Sequence, residues 1–229
     1  MVTQRKFGLV GLILIAALLA ASAAQAKMVP YIEPLDSDWG SVDDPLSLPG
    51  AYFVGVYGRL AAEDGDEDDV DALAFTFDKP VEGMAASLLV PICGRHFEDF
   101  YPTLAVIGPG LDAPDKVTLD ALPFALPDEE GIGVMLLEPE PGETRGAADW
   151  QLEQPHYADS LEVLLDIPQA GEYLFAIWEP DGHQGVYTLM TGATHPDPES
   201  FEAMGDLGAR FDQIESGAWM GQDCSAPAS

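Results

Sequence analysis

Apolar and polar residues alternate in several short segments of this chain. The apolar members of these segments form four sets, which are Tyr52, Val54 and Val56; Leu73, Phe75 and Phe77; Leu161, Val163, Leu165 and Ile167; and Tyr173, Phe175 and Ile177. Successive side chains of a strand point to opposite sides of a sheet, so a period of two predicts strands that each bury one face.

Two further segments, residues 85–92 and 103–107, are almost continuously apolar and have the length of strands. Asp181-Gly182 marks a turn, and we expect residues 171–192 to form a glycine-bounded hairpin in a terminal meander. Short strands separated by Gly and Pro favour an all-β fold over βαβ units. The predicted fold class is an antiparallel β-sandwich of the Ig-like or jelly-roll type with about eight strands.

One helix is predicted near the end of the chain. Asp197 is suited to cap it, and Pro198 occupies the favoured first position. Apolar residues then recur at helical spacing, namely Phe201, Met204, Leu207, Phe211 and Ile214. We expect this helix to pack against the sandwich, with a bend or short break at Gly205 or Gly208.

The same patterns divide the chain into segments. Residues 27–50 are rich in Pro, Asp and Ser and predict an extended lead-in, whereas residues 51–194 predict the sandwich domain. Residues 111–160 interrupt the strand rhythm and predict a long, ordered insertion that covers one end or edge of the sandwich. Residues 195–229 contain the helix and a tail, which we expect to pack on the sandwich.

Residues 1–26 have the features of a signal peptide. Arg5 and Lys6 precede an apolar stretch, and Ala24-Gln25-Ala26 is a pattern that signal peptidase accepts. The apolar stretch is shorter than the roughly 20 residues of a membrane-spanning helix, although an uncleaved anchor is the alternative. We expect a periplasmic or secreted protein that begins at Lys27 and is not inserted in the membrane after cleavage.

The charge of the chain restricts its partners. All 40 acidic residues follow residue 26, whereas two of the 9 basic residues precede it, so the mature chain has seven basic residues and a net charge of −33. Nucleic-acid binding uses clustered Lys and Arg. The seven basic residues are scattered singly, so we expect no nucleic-acid partner. A surface this acidic favours cations, basic proteins or simply solubility at high ionic strength.

The two cysteines, Cys93 and Cys224, are predicted to form a disulfide, because an oxidising compartment favours pairing. Such a bond would tie the tail to the body of the sandwich. Two separate buried thiols, or a thiolate ligand of a metal, are the alternatives.

Residues 63–71 contain the strongest candidate for a binding site, since seven of these nine residues are carboxylates. Calcium takes about six to eight oxygen ligands, which a carboxylate-rich loop can supply. The predicted calcium ligands are Asp64, Asp66, Asp68, Asp69 and Asp71. The EF-hand pattern fails, because Asp69 stands where that loop needs Gly and Phe75 where it needs Glu. The site would therefore be irregular, and a solvated acidic turn is the alternative.

Histidines offer a second kind of site. None of them forms His-x-His or His-x-x-x-His, but His96, His156 and His183 could converge in space to hold copper or zinc. Exposed loop histidines are the alternative. The chain has no Gly-x-Ser-x-Gly, His-Glu-x-x-His or Cys-x-x-Cys motif. We therefore expect a protein that is not an enzyme, with an unrecognised secreted hydrolase as the alternative.

The order of elements over residues 51–192 resembles the bacterial pre-peptidase C-terminal domain family. The segments that carry the resemblance are Tyr57-Gly58-Arg59-Leu60, Asp69-Val70-Asp71-Ala72-Leu73-Ala74-Phe75, Pro168-Gln169-Ala170-Gly171-Glu172-Tyr173 and Gly185-Val186-Tyr187-Thr188-Leu189. The insertion at residues 111–160 departs from the compact form of that family. The resemblance implies a β-sandwich, an exported location, and ligand binding or calcium-stabilised folding.

These patterns together predict an exported, non-enzymatic accessory or binding protein in which any calcium is structural. Its partner would be a protein or small ligand of the periplasm, bound at the loop-rich end of the sandwich. A periplasmic binding or carrier protein for copper or zinc is the alternative function.

Overall fold

The computed structural model describes residues 28–34, 40–50, 52–60, 69–91, 99–126, 131–139, 147–148, 157–192 and 207–220. The strands are β1 (Val29–Ile32), β2 (Leu46–Pro49), β3 (Val54–Leu60), β4 (Val70–Phe77), β5 (Val81–Pro91), β6 (Thr103–Pro109), β7 (Ile132–Leu137), β8 (Ala147–Ala148), β9 (Tyr157–Ile167), β10 (Gly171–Trp178) and β11 (Gly185–Gly192). The helices are α1 (Lys116–Ala121) and α2 (Leu207–Ser216), and a 3-10 turn follows at Ala218–Met220.

The strands form two sheets that pack face to face. Sheet one has the order β1-β3-β11-β5-β9-β8, and sheet two has the order β2-β4-β10-β6-β7. The prediction of an all-β sandwich is therefore confirmed. Most neighbouring strands are antiparallel, but β1 runs parallel to β3 and β2 runs parallel to β4, so both sheets are mixed. The described residues contain eleven strands, compared with the predicted eight or so.

The first two strands lie in the segment that the sequence predicts as an extended lead-in. Both occupy the edge of a sheet, β1 beside β3 and β2 beside β4. Pro30 in β1 and Pro49 in β2 suit an edge, because proline lacks the amide hydrogen that a central strand donates. Strands of four residues that contain proline show too little alternation to be distinguished from an extended segment.

The interior between the sheets is filled by the alternating apolar residues. Tyr173, Phe175 and Ile177 of β10 are fully buried there. The ring centroids of Phe175 and of Phe75 in β4 are 4.6 Å apart. Burying a side chain of this size contributes about 1.5–3 kcal/mol. A slip of one residue would turn this whole set towards the other face, so the interior also fixes the register of the strands.

The outer faces of both sheets are covered as well. On sheet one, the cluster consists of Met28, Tyr57, Leu89, Val186, Met190, Ile214, Trp219 and Met220, of which the last three come from α2 and the 3-10 turn. On sheet two, Leu122, Phe124 and Leu126 of the insertion pack against a cluster that contains Ala105, Ile107, Val134 and Trp178. Side chains of β5 and β6 are therefore buried on both faces, which explains their almost continuously apolar sequences.

The predicted terminal hairpin and meander are wrong. Although β9, β10 and β11 follow one another in the chain, β9 and β11 belong to sheet one and β10 belongs to sheet two. The turn at Asp181-Gly182 is present, with Gly182 at φ 72°, but it carries the chain from one sheet to the other. Alternation shows that a strand buries one face, and both sheets bury their inner face equally well.

The predicted C-terminal helix is present as α2, which buries Leu207 and Ile214 of the predicted apolar stripe. Gly208 lies inside the helix without interrupting it, and Gly217 at φ 70° follows its last residue. The remaining positions of this prediction lie outside the described residues, namely Asp197, Pro198, Phe201, Met204 and Gly205. In the part of the chain that the structure describes, no helix is long and apolar enough to span a membrane.

Candidate cation-binding end of the sandwich

One end of the sandwich collects carboxylates from three separate segments of the chain. At this end β1 ends at Ile32, β3 ends at Leu60, β4 begins at Val70, β10 ends at Trp178 and β11 begins at Gly185. Six described residues with carboxylate or imidazole side chains lie at these strand ends and in the connection between β10 and β11. They are Glu33, Asp69, Asp71, Glu179, Asp181 and His183. We call this set the acidic end.

Asp71 is the most deeply buried carboxylate of the acidic end, with no exposed surface. It has the parity of the inward-facing residues of β4 and pairs with Ile177 of β10. The hydroxyl of Tyr187, in the opposite sheet, donates a hydrogen bond of 2.6 Å to Oδ2 of Asp71. This contact joins the two sheets through the interior.

The electrostatic surroundings keep Tyr187 protonated. Burial raises the pKa of Tyr187 well above its ordinary value, and the negative charges of Asp71, Glu33 and Asp69 raise it further. A neutral phenol can donate a hydrogen bond to a carboxylate, whereas a phenolate cannot. Tyr187 therefore remains the donor to Asp71 at neutral pH, and three carboxylates of the acidic end act on this one hydroxyl.

Close packing against Tyr187 requires the glycine of the segment Tyr57-Gly58-Arg59-Leu60. Gly58 pairs with Tyr187 in sheet one, and the ring of Tyr187 lies across it. A β-carbon at position 58 would lie 2.4 Å from Cζ and Oη of that ring. Glycine therefore allows Tyr187 to reach Asp71.

Glu33 enters the acidic end from the edge strand β1. Its amide donates to the carbonyl oxygen of Tyr57 at 3.0 Å, and its Oε2 accepts a hydrogen bond of 2.5 Å from the amide of Arg59. These two bonds continue the pairing of β1 with β3 and hold a largely buried carboxylate in place. Sequence reasoning missed Glu33, because the lead-in offered no strand pattern.

The connection between β10 and β11 forms a tight polar turn at residues 179–183. Oε2 of Glu179 accepts hydrogen bonds from the amides of Asp181, at 3.0 Å, and His183, at 2.7 Å. Oε1 of Glu179 lies 3.3 Å from Nδ1 of His183. The side chain of Glu179 is 3% exposed and that of His183 is 48% exposed. A buried carboxylate thus organises a turn whose other polar side chains face the solvent.

The strand register links this turn to the predicted calcium segment. Trp178 of β10 pairs with Val70 of β4, so Glu179 follows and Asp69 precedes the last pair of these two strands. Both residues also have the parity of the inward-facing side chains, Ile177 in β10 and Asp71 in β4. Two of the predicted calcium ligands, Asp69 and Asp71, therefore share one end of the sandwich with Glu33 and Glu179.

The other predicted site residues, Asp64, Asp66, Asp68, His96, His156, Cys93 and Cys224, lie outside the described residues. The disulfide and the convergence of three histidines therefore remain predictions. Pro91 precedes the segment that contains His96, and Tyr157 follows the segment that contains His156; these two described residues pair with each other in sheet one. Among the described residues, His183 is the predicted histidine that has carboxylates close to it.

A cleft of about 420 Å³ lies beside the acidic end, between β1, β2 and α2. Arg210 of α2 donates a hydrogen bond of 2.9 Å to the carbonyl oxygen of Pro30, and its guanidinium lies 5.8 Å from the ring centroid of Tyr31. Burial raises the pKa of Tyr31, an effect that the charge of Arg210 partly offsets. Glu33 lines this cleft too. The hydrogen bond from Arg210 to Pro30 joins α2 to β1, the edge strand that precedes Glu33.

Comparison with family models gives no match, and comparison with curated proteins gives none either. Among solved structures, the chain is similar to the crystal structure of the pre-peptidase C-terminal domain of collagenase from Bacillus anthracis. The match is 12% identical in sequence, covers 64% of this chain and 95% of that chain, and has a TM-score of 0.34. That domain bears the name of the family that the sequence motifs resemble. The β-sandwich fold is established by the two packed sheets described above.

Proposed function

We propose that this protein is an exported, non-enzymatic accessory protein that binds a periplasmic protein or small ligand at the loop-rich end of its sandwich, with calcium stabilising that end. The observation that supports the proposal is that Asp71 accepts the hydrogen bond of the Tyr187 hydroxyl and that the charges of Asp71, Glu33 and Asp69 together raise the pKa of that hydroxyl. These carboxylates come from two distant parts of the sequence, the residue after β1 and the start of β4. Export is supported by the signal-peptide pattern of residues 1–26.

The donor set suits a hard cation. Calcium prefers carboxylate and carbonyl oxygens and tolerates irregular geometry. Asp69 and Asp71 at the start of β4 would hold it together with Asp64, Asp66 and Asp68, which precede them in the sequence. A divalent cation would also offset the repulsion among these negative charges.

The burial of these carboxylates favours a structural role over a catalytic one. Asp71 is fully buried and already accepts the hydrogen bond of Tyr187, so it has no surface with which to contact a substrate. Glu33 is largely buried and is bonded to the backbone of β3. Both side chains hold strands together. Turnover of sugar, ester or peptide substrates by the purified protein would contradict the non-enzymatic part of this proposal.

Thermal unfolding tests the calcium role. A cation that binds only the folded state at a concentration of about 100 times its Kd stabilises that state by about 2.7 kcal/mol. In a domain of this size, this corresponds to an increase in Tm of about 5–10 °C. We therefore expect calcium to raise Tm by this amount relative to protein in EDTA, and magnesium to have a smaller effect.

A pair of charge-neutralising variants assigns the effect to the acidic end. Asp69→Asn should remove most of the calcium-dependent increase in Tm. Asp212→Asn, which changes an exposed carboxylate of α2, should leave it intact. Equal Tm values in calcium and in EDTA for the unmodified protein would overturn the calcium role and support a solvated acidic loop.

A further inference from the structure

We propose that Glu179, Asp181 and His183 form a second cation site, selective for a divalent transition metal of the zinc type and separate from the calcium ligands. One ligand atom from each side chain can be chosen so that all three lie within 4.8 Å of one another. The three residues follow the spacing Glu-x-Asp-x-His within a single turn. This set shares no residue with the predicted calcium ligands. It shares only His183 with the predicted copper or zinc ligands His96, His156 and His183.

The distance between two of the ligand atoms matches the geometry of bound zinc. Zinc–nitrogen and zinc–oxygen bonds are about 2.0–2.2 Å long, so adjacent ligands of a tetrahedral site are about 3.3–3.6 Å apart. Nδ1 of His183 and Oε1 of Glu179 are 3.3 Å apart. A zinc ion could therefore bridge these two atoms with little movement of either side chain.

The turn holds Glu179 ready for such a role. Its Oε2 is fixed by the amides of Asp181 and His183, which leaves Oε1 as the atom directed at the imidazole. Outer hydrogen bonds of this kind orient metal ligands and strengthen binding about 10- to 100-fold. The side chains of Asp181 and His183 are exposed, so solvent has access to the remaining coordination positions.

The imidazole sets the metal preference. Neutral histidine is a good ligand for zinc, copper and nickel, whereas calcium and magnesium prefer oxygen ligands. The competing interpretation is that His183 only donates a hydrogen bond to Glu179 and thereby closes the turn. The two interpretations differ in whether zinc binding depends on His183 and Asp181.

Isothermal titration of the mature protein with zinc chloride, in saturating calcium, tests the site. We expect one zinc ion to bind at this site, with at least tenfold weaker binding in His183→Ala and in Asp181→Asn. Asp181→Asn changes an exposed side chain and leaves the backbone amide that bonds Glu179, so it separates metal binding from folding. Asp212→Asn should bind zinc as the unmodified protein does.

Cobalt provides an independent measurement. Four-coordinate cobalt(II) absorbs visible light more strongly than hydrated cobalt, and zinc should displace it. Absence of zinc binding at micromolar concentrations, or unchanged binding in both variants, would overturn the site. Unchanged binding would place zinc on other residues of the chain. Because the calcium-dependent Tm is measured separately, failure of the zinc site leaves the calcium proposal to be judged on its own data.

Discussion

The contact between Gly58 and the ring of Tyr187 is a tightly packed feature of the acidic end. A β-carbon at position 58 would lie 2.4 Å from the ring, far inside van der Waals contact. The ring would have to move, which would disturb its hydrogen bond to Asp71. We expect Gly58→Ala to lower the free energy of unfolding by about 1–3 kcal/mol, measured by urea denaturation.

A second glycine provides the control for this prediction. Gly208 lies in α2, and a β-carbon there would meet no atom within 4 Å. Alanine is also the better helix former, so Gly208→Ala should raise the free energy of unfolding by about 0.5–1 kcal/mol. A loss of stability in Gly208→Ala but not in Gly58→Ala would contradict both the predicted clash at Gly58 and the predicted open space at Gly208.

At the residue scale, the sequence predicted the inward-facing apolar side chains but only part of the acidic end. Glu179 continues the parity of Tyr173, Phe175 and Ile177, so a carboxylate at the end of an inward-facing series was an available signal. Glu33 had no such signal. It acquires its partner, the amide of Arg59, only when the parallel pairing of β1 with β3 forms.

At the scale of elements, α2 contributes by covering sheet one. Ile214 is fully buried in the cluster that includes Tyr57 and Met190 on the outer face of that sheet. Ile214→Ala should therefore cost about 2–5 kcal/mol of unfolding free energy. The exposed neighbour Glu215, changed to Ala, should stay within about 0.5 kcal/mol of the unmodified protein. Equal losses of unfolding free energy in Ile214→Ala and Glu215→Ala would contradict a stabilising role for the buried face of α2.

The elements also show where sequence patterns stop being informative. The alternating segments predicted strands β3, β4, β9 and β10 because every second residue of each segment has a large apolar side chain that packs between the sheets. Which sheet a strand joins depends on contacts between distant segments, such as that between Phe75 and Phe175. The predicted meander failed for this reason. Continuous apolar runs in β5 and β6 were correctly predicted as strands, but the segments that cover their outer faces come from α2 and the insertion.

The whole molecule carries a net charge of −31, and the structure concentrates several of these charges at one end. An exposed ion pair such as Lys116–Asp120 neutralises little of this excess. The uncompensated charge has two consequences. It raises the local concentration of cations near the acidic end, and it destabilises the compact state through repulsion between like charges. Both consequences depend on ionic strength.

Repulsion of this kind predicts that sodium chloride stabilises the fold. The Debye length falls from about 10 Å at 0.1 M to about 3 Å at 1 M salt, so the repulsion between exposed charges is largely screened. Folding brings the carboxylates closer together than they are in the unfolded chain, so screening favours the folded state. We expect Tm to rise by about 2–8 °C between low salt and 1 M sodium chloride, equivalent to about 1–2 kcal/mol.

Chelator separates this screening from cation binding. In EDTA the salt effect should persist in full, because sodium ions screen the carboxylates without being held at particular ligands. Calcium added at constant ionic strength should then raise Tm further only in protein that retains Asp69. A Tm that falls as sodium chloride increases would mean that attractive charge pairs outweigh the repulsion, and would contradict this prediction.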